Sequence, residues 1–271
     1  VGVEHPAVDQ LRAAAHHAFE AVLKVEGLLE SWGSNPPGVL KSGGLGVREL
    51  KRTAKELDVP EATAALYAEI AWAAGLLDAS PSLVEPEWVP THGYDRWVAL
   101  PPEDRWVQLV RAWVAMTRLP ALVGMRDERD KALTALSAEI DRTSAPHDRR
   151  RVLALLTETP PGHAVTDDTV VEVLVWRSPR RGGRLREQLP RWTLNEAATL
   201  GLTGRGGLST AARLLLAGED REAARALRDL LPAPLDHVLV QPDLTVVAPG
   251  PLERPLARDL ALVADVESTG G

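Results

Sequence analysis

The feature that most limits the possible folds is an order of segments that occurs twice: short amphipathic helical stretches followed by a turn-rich stretch. In the first copy, apolar spacing predicts helices over Val47–Leu57 and Glu61–Ala74, joined by a three-residue junction of helix-turn-helix length. The segments Leu76–Asp78 and Ser82–Glu85 that follow favour a small wing. This order is typical of a winged helix, and we predict a winged-helix-like module over residues 38–90.

The second copy contains five helical segments and a glycine-rich turn. Apolar spacing and capping residues predict helices over Arg149–Leu156, Asp167–Trp176, Thr193–Leu200, Ser209–Ala217 and Arg221–Leu230. After the third of these, the stretch Gly204–Gly207 favours a tight turn between short extended segments, as at the tip of a wing. We therefore predict a second winged-helix-like module over residues 147–233.

The segments around the two modules are also predicted to be helical. Leu11–Trp32 predicts a long helix within the N-terminal residues 1–37, because alanine favours the helix and apolar residues recur along it. Residues 91–146 form a predicted helical connector, with helices over Glu103–Met116 and Asp127–Ile140. The predicted fold is therefore mainly α: tandem winged-helix-like modules joined by helical connectors.

The last segment, residues 234–271, has a different pattern. Two runs rich in β-branched residues, His237–Gln241 and Leu244–Ala248, are separated by a Pro-Asp pair and predict an antiparallel hairpin. The sequence beyond the hairpin predicts a helix laid across one face of the sheet. Its apolar stripe consists of Leu256, Leu260 and Val263. We expect an incomplete α+β (β-β-α) domain here, since such a unit would continue into a further strand.

Part of this last segment resembles a known family. About thirty residues, Val238–Ser268, resemble the N-terminal domain of XPB-type DNA helicases and the non-catalytic, helicase-associated proteins of bacteria that carry it. The matching residues are Val240, Gln241, Asp243, Leu244, Thr245, Val246 and Pro249, followed by a helix that ends near Glu267. A weaker likeness to the same bacterial proteins covers Leu40–Val59. In XPB-type helicases the domain lies beside the motor and is associated with damaged or unwound DNA, so the resemblance implies a functional context rather than a chemistry.

Length and composition limit the class of protein. For a chain of 271 residues, two domains are the expected number. We expect it to bury roughly 70 to 75% of the surface that its unfolded form exposes. The absence of cysteine excludes thiol chemistry and cysteine-based zinc sites, and it is consistent with a reducing cytoplasm. The sequence shows neither a signal-peptide pattern nor an apolar run near the roughly 20 residues that span a bilayer. We expect a soluble, cytoplasmic protein.

The sequence lacks the motifs of common enzymes. It contains no Walker A sequence, no acidic ATPase box, no H-E-x-x-H and no G-x-S-x-G. The seven histidines are too scattered to form a metal site or to serve as the base of a nucleophile. The adjacent Asp167 and Asp168 could hold a metal, but acidic residues at a helix start also meet the positive end of the helix dipole. We predict a non-enzyme, with no cofactor.

The first module is a poor candidate for reading DNA. Its second predicted helix, Glu61–Ala74, carries two glutamates and no lysine or arginine, so phosphates would repel it in a groove. The cations Lys51, Arg52 and Lys55 lie on the preceding helix and could at most touch the DNA backbone. We expect this module to act as a scaffold or as a protein-docking module.

Four tryptophans are a second set of candidates for contact with nucleic acid. Trp88, Trp97, Trp106 and Trp113 could stack on unpaired bases. However, the last two recur at helical spacing on one predicted helix, which is typical of core positions. We therefore expect core packing, not base stacking.

A local excess of arginine stands out in a chain whose net charge is −7. The arginine-rich segment, residues 177–191, has six arginines against one glutamate: Arg177, Arg180, Arg181, Arg184, Arg186 and Arg191. Arg205 in the predicted wing turn adds a seventh candidate. Guanidinium groups spaced by flexible glycines can reach successive phosphates of a nucleic acid. The alternatives are an acidic protein partner, or a solvated loop that binds nothing.

These observations predict a non-catalytic DNA-binding or docking protein, associated with a helicase in DNA repair or transcription. The expected partners are single-stranded, forked or duplex DNA, bound through the arginine-rich segment, and an XPB-type helicase. The alternative is a transcriptional regulator or scaffold whose winged helices bind only protein.

Overall fold

The computed structural model describes residues 3–4, 7–81, 85–178, 185–232, 235–241, 243, 245–248, 250, 252, 256, 259–260 and 262–264. The chain divides into two compact units, Val1–Asp229 and Leu230–Gly271. The described part is mainly helical with short antiparallel strand pairs, which confirms the predicted fold class. The predicted subdivision of the first unit into separate modules stays a prediction.

The bounds of the helices and strands are as follows. The α-helices are α1 (Ala7–Ser34), α2 (Val47–Glu56), α3 (Glu61–Ala73), α4 (His92–Val98), α5 (Pro102–Ala115), α6 (Ala145–Glu158), α7 (Asp167–Arg177), α8 (Gln188–Thr199), α9 (Thr210–Leu216) and α10 (Asp220–Arg228). The strands are β1 (Val3–Glu4), β2 (Leu77–Ala79), β3 (Trp88–Pro90), β4 (His163–Ala164), β5 (Thr203–Gly204), β6 (Gly207–Leu208), β7 (Leu239–Val240) and β8 (Val246–Val247). No helix among the described residues is both long enough and apolar enough to cross a membrane.

Helix α1 is the packing centre of the first unit. It contacts α3, α5 and β3 as well as α8 and β5, so it touches elements of both predicted modules. Its small buried residues, such as Ala14 and Ala18, allow the backbone around β5 to approach closely. The helix therefore joins both halves of the unit in one core.

The first half of the unit has the element order of the predicted winged helix. After α2 and α3, strands β2 and β3 pair antiparallel, and the chain at residues 37–39 adds to β3 through Val39 N–H to Pro86 O (2.8 Å) and Trp88 N–H to Pro37 O (2.8 Å). The strand that pairs with β2 is Trp88–Pro90, and the predicted wing segment Ser82–Glu85 lies outside the described residues except for Glu85. The position of Trp88 is fixed by its burial and by its indole N–H, which donates to Gly44 O over 3.2 Å.

The second half follows the order helix, strand, helix, helix, hairpin. Strand β4 pairs with β1 and also approaches the β5–β6 hairpin, where Val165 N–H donates to Gly206 O over 3.3 Å. Helix α8 begins at Gln188, five residues before its predicted start at Thr193. Pro190 lies in the first turn of α8, where a helix tolerates a missing N–H.

The predicted helix over Asp127–Ile140 is wrong. The chain there makes turns and ends in a short 3₁₀ segment, Ala138–Ile140. One cause is local: Asp127 Oδ1 accepts the backbone N–H groups of Arg129 and Lys131, both over 2.8 Å, and so competes with helical hydrogen bonds. The other is tertiary, since the buried carboxylate of Glu69 takes the N–H of Leu136.

The second unit contains the predicted hairpin. Strands β7 and β8 pair antiparallel, and Gln241 N–H donates to Thr245 O over 2.8 Å across the turn. Asp243 Oδ1 accepts Thr245 N–H over 3.0 Å, the local bond expected of an Asp in a turn. Most of the helix predicted beyond the hairpin lies outside the described residues. The three residues of its apolar stripe, Leu256, Leu260 and Val263, are described, but many of the residues between them are not.

Candidate nucleic-acid interface

The two ends of the arginine-rich segment are held by described helices. Helix α7 starts at the cap residue Thr166, whose Oγ1 accepts Thr169 N–H over 3.3 Å, and its buried residues include Val170 and Val171. At the other end, Leu185 and α8 pack against an apolar cluster of the first unit. The buried members of this cluster are Leu119, Leu122, Leu133, Ile140 and Ala145. The described residues on both sides of residues 179–184 are therefore held by packing.

Arg177, the last residue of α7, is engaged in a two-bond ion pair. Its Nη1 and Nη2 donate to Oε1 and Oε2 of Glu158 over 2.7 and 2.6 Å. These hydrogen bonds raise the pKa of Arg177 and lower the pKa of Glu158. The side chains stay about half exposed, so the pair is accessible but locally neutral.

Two further arginines meet the carboxyl end of α7. Arg186 Nη2 donates to Val175 O over 2.9 Å and to Ser178 O over 3.1 Å. Arg151, from α6, donates through Nη2 to Ser178 Oγ over 2.7 Å. Unpaired carbonyls make a helix C-terminus negative, so Arg186 satisfies two of them, and Arg151 adds a positive charge beside them. Arg186 thus has a structural role that its sequence position did not reveal.

Arg191 and Arg205 lie in different surroundings. Arg191, on α8, bonds through Nη2 to Asp168 Oδ1, and this hydrogen bond raises the pKa of Arg191. Arg205 is exposed at the tip of the β5–β6 hairpin with φ +49, and it makes no ion pair with any described residue. Asp167 and Asp168 both lie in the first turn of α7, where acidic side chains meet the positive end of the helix dipole.

Arg180, Arg181 and Arg184 lie outside the described residues. The structure thus brings Arg177 and Arg186 to the carboxyl end of α7 and places Arg191 near its amino end. Sequence reasoning missed Arg151, which reaches the same helix end from α6.

The four tryptophans considered for base stacking are buried core residues. Each indole N–H has an internal acceptor: Trp88 to Gly44 O, Trp97 to Arg105 O, Trp106 to Leu200 O and Trp113 to Glu196 Oε2. The expected core packing is confirmed. A different residue, Trp176, is 80% exposed, and sequence reasoning overlooked it. Its exposure could have been predicted, because it lies four residues after Glu172 and therefore on the polar side of α7.

The second helix of the first module is buried on nearly all sides. All eight residues from Ala64 to Ala71 on α3 are buried, so this helix is not available to enter a DNA groove. On α2, Lys51 and Lys55 are exposed, whereas Arg52 pairs with Glu49 over 2.7 Å. The first module therefore offers DNA only two exposed cations at the positions considered.

Three buried glutamate–arginine–tryptophan groups stabilise the first unit, and none was predicted. Arg118 lies over the Trp72 ring at 3.5 Å and pairs with Glu69 over 3.3 Å. The other two groups are Arg149 with Glu196 and Trp113, and Arg105 with Glu26 and Trp97. Burial raises the pKa of Glu69 to about 7 and also raises the pKa of Glu196.

A small cleft lies beside one of these buried acids, Glu196. The cleft beside Glu196, between α3 and α8, holds about 50 Å³. Ligand pockets measure about 300 to 1,000 Å³, so this one suits water better than a metabolite. Within the described ranges, no group of three acidic or histidine side chains could hold a metal ion.

Comparison of the chain with known protein families, with curated proteins and with solved structures finds no match.

Proposed function

We propose that this chain is a non-catalytic DNA-binding and docking protein of the cytoplasm, associated with an XPB-type helicase in DNA repair or transcription. The DNA contact is made by the second half of the first unit, through the arginine-rich segment and Arg205. The observation that carries the proposal is the ratio of six arginines to one glutamate in a chain of net charge −7. Among ligands, a phosphate backbone is attracted most strongly by such a local excess of positive charge.

The described arginines suggest a division of roles within the segment. Arg177, Arg186 and Arg191 are bonded to neighbouring helices and hold the ends of the segment. Arg180, Arg181 and Arg184 then contact phosphates. In the same proposal the first module docks protein, because α3 is buried and acidic at its exposed start. The helicase partner is suggested by the resemblance of residues 238–268 to XPB-type proteins.

A second candidate, binding of protein partners alone, is favoured by the same ion pairs. Glu158 and Asp168 neutralise two of the seven candidate arginines, Arg177 and Arg191, which lowers the charge offered to DNA. In this alternative the arginines stabilise the packing of α6, α7 and α8, and the exposed surfaces bind protein.

The test is a titration of labelled duplex DNA at several salt concentrations, followed by fluorescence polarisation. The variant replaces Arg180, Arg181 and Arg184 with alanine and leaves the structurally bonded Arg186 intact. Each phosphate contact contributes about 0.9 to the slope of log affinity against log salt, so the slope should flatten by about 3. Affinity should fall for all sequences alike, since phosphate contacts carry no sequence information.

The matched control replaces three exposed cations of α2, Arg48, Lys51 and Lys55, with alanine. It removes the same charge from the same unit, and it should change the slope by less than about 1. The control variant should unfold at the wild-type temperature, because its three exposed charges contribute little to stability. The unfolding temperature of the first variant is measured alongside it. An equal loss in both variants, or an unchanged slope in the first, would favour binding of protein alone.

A further inference from the structure

Trp176 differs from every other tryptophan of the chain. All eight tryptophans lie among the described residues, five are buried, and Trp72 and Trp192 are half-buried. Trp72 lies under Arg118, and Trp192 packs on an apolar cluster. Trp176 is 80% exposed at the carboxyl end of α7. An exposed indole of this size is available to stack on another ring system.

The side chains around Trp176 favour a partner that carries phosphate groups. Arg177 follows it directly but pairs with Glu158, and Arg151 and Arg186 both bond to Ser178, two residues beyond. Arg186 caps the carbonyls of Val175 and Ser178, which would otherwise make this helix end negative. A guanidinium has five N–H donors, and among the described residues Arg151 uses one of them, on the Ser178 hydroxyl, so its other donors can reach a phosphate. An indole can stack on a base while a neighbouring guanidinium group contacts the phosphate of the same strand.

We infer that Trp176 is a base-stacking platform for single-stranded DNA. The inference rests on the proposed function and narrows it to one form of the ligand. A base within a duplex has both faces covered by its neighbours, whereas an unpaired base can stack on an indole. Duplex DNA then binds through phosphate contacts alone, and single-stranded DNA binds through both kinds of contact.

The experiment compares Trp176→Ala, Trp176→Phe and Trp176→Leu in the full chain, with labelled oligothymidylate of about 12 nucleotides. Trp176→Ala should weaken binding about 5- to 100-fold, the loss expected for one stacked base. Trp176→Phe should stay within about threefold of wild type because phenylalanine keeps a stacking face. Trp176→Leu keeps the apolar bulk without that face, and it should match the alanine variant.

Two further readouts separate stacking from charge. The salt slope should be the same in all three variants, because no cation is removed. Affinity for duplex DNA should change by less than about twofold. Iodide quenching of tryptophan fluorescence, with Trp176→Phe as the blank, should report an accessible Trp176 that single-stranded DNA protects. All three variants should unfold at the wild-type temperature, since the side chain is exposed.

The outcomes distinguish this inference from the proposed function. Wild-type affinity in Trp176→Ala, or in Trp176→Leu, overturns the stacking role. If the Arg180/Arg181/Arg184 variant still loses affinity in that case, the proposed function stands without it. Absence of binding to either form of DNA by the wild-type chain overturns both.

Discussion

Glu69 shows most clearly, at the scale of single residues, how a buried charge is accommodated. One carboxylate oxygen accepts the N–H of Leu136, and the other pairs with Arg118 over 3.3 Å. Arg118 in turn covers the Trp72 ring at 3.5 Å. Glu69 is 0% exposed, and desolvation of the charged carboxylate raises its pKa more than the hydrogen bonds and the charge of Arg118 lower it. Its pKa therefore rises to about 7.

The raised pKa of Glu69 predicts a pH dependence of stability. A carboxyl whose folded-state pKa exceeds its unfolded value of 4.5 binds protons more tightly in the folded state, so the contribution of Glu69 to the free energy of unfolding is highest below pH 4.5. It should fall by about 3 kcal/mol as the pH rises through 7. Urea unfolding of wild type and of Glu69→Gln should show this decline in the wild type alone, after subtraction of the background that both share.

Two other variants complete this prediction. Glu69→Ala leaves Arg118 and the N–H of Leu136 without this acceptor and opens a cavity, so it should cost about 2 to 5 kcal/mol at pH 5, where the carboxyl is protonated. Glu61→Gln, at the exposed start of the same helix, is the control and should stay within about 0.5 kcal/mol of wild type. Parallel pH profiles for wild type and Glu69→Gln would show that Glu69 does not titrate in this window.

At the scale of elements, the close contact between α1 and the β5–β6 hairpin predicts a steric test. A Cβ added at Gly204 would lie 2.0 Å from Gln10 O and 2.8 Å from Ala14 N, both in the backbone of α1. Backbone atoms of a buried helix move little, so Gly204→Ala should destabilise the chain by about 3 kcal/mol or more. Chemical denaturation measures the loss.

Two other glycines make this comparison quantitative. Gly38→Ala meets nothing within 4 Å and should be neutral or slightly stabilising. Gly207→Ala meets the side chain of Gln10, which can shift, so its cost should lie between the other two. If Gly204→Ala were as stable as Gly38→Ala, α1 and the hairpin would have to be less tightly packed than the structure shows.

Elements set by local pattern were predictable, and elements set by distant partners were not. The spacing of apolar residues located α2, α3 and α7 to within one residue at each end. The helix predicted over Asp127–Ile140 failed because Glu69, some 67 residues away, takes a backbone N–H there. The candidate site has the same limit: composition reveals the arginine excess, but not which arginines pair with Glu158 and Asp168 on other helices.

At the scale of the whole molecule, the two units carry different evidence for function. The first unit, Val1–Asp229, contains the arginine-rich segment and Trp176, whereas the second, Leu230–Gly271, contains the stretch on which the proposed helicase association rests. The second unit has six acidic residues and two arginines, so its removal changes the net charge from −7 to −3. A truncation between the units therefore tests which of them binds DNA.

A chain that ends at Asp229 should fold and should bind DNA. Its last helix, α10, packs on α9 and α5 within the first unit, so urea unfolding should remain cooperative with a nearly unchanged midpoint. Its affinity for duplex and single-stranded DNA should stay within about twofold of the full chain, because the proposed phosphate contacts and Trp176 all belong to the first unit. The Arg180/Arg181/Arg184 substitutions should weaken binding of this shorter chain as they do in the full chain. A folded Val1–Asp229 chain that no longer binds DNA would place the contact on the second unit instead.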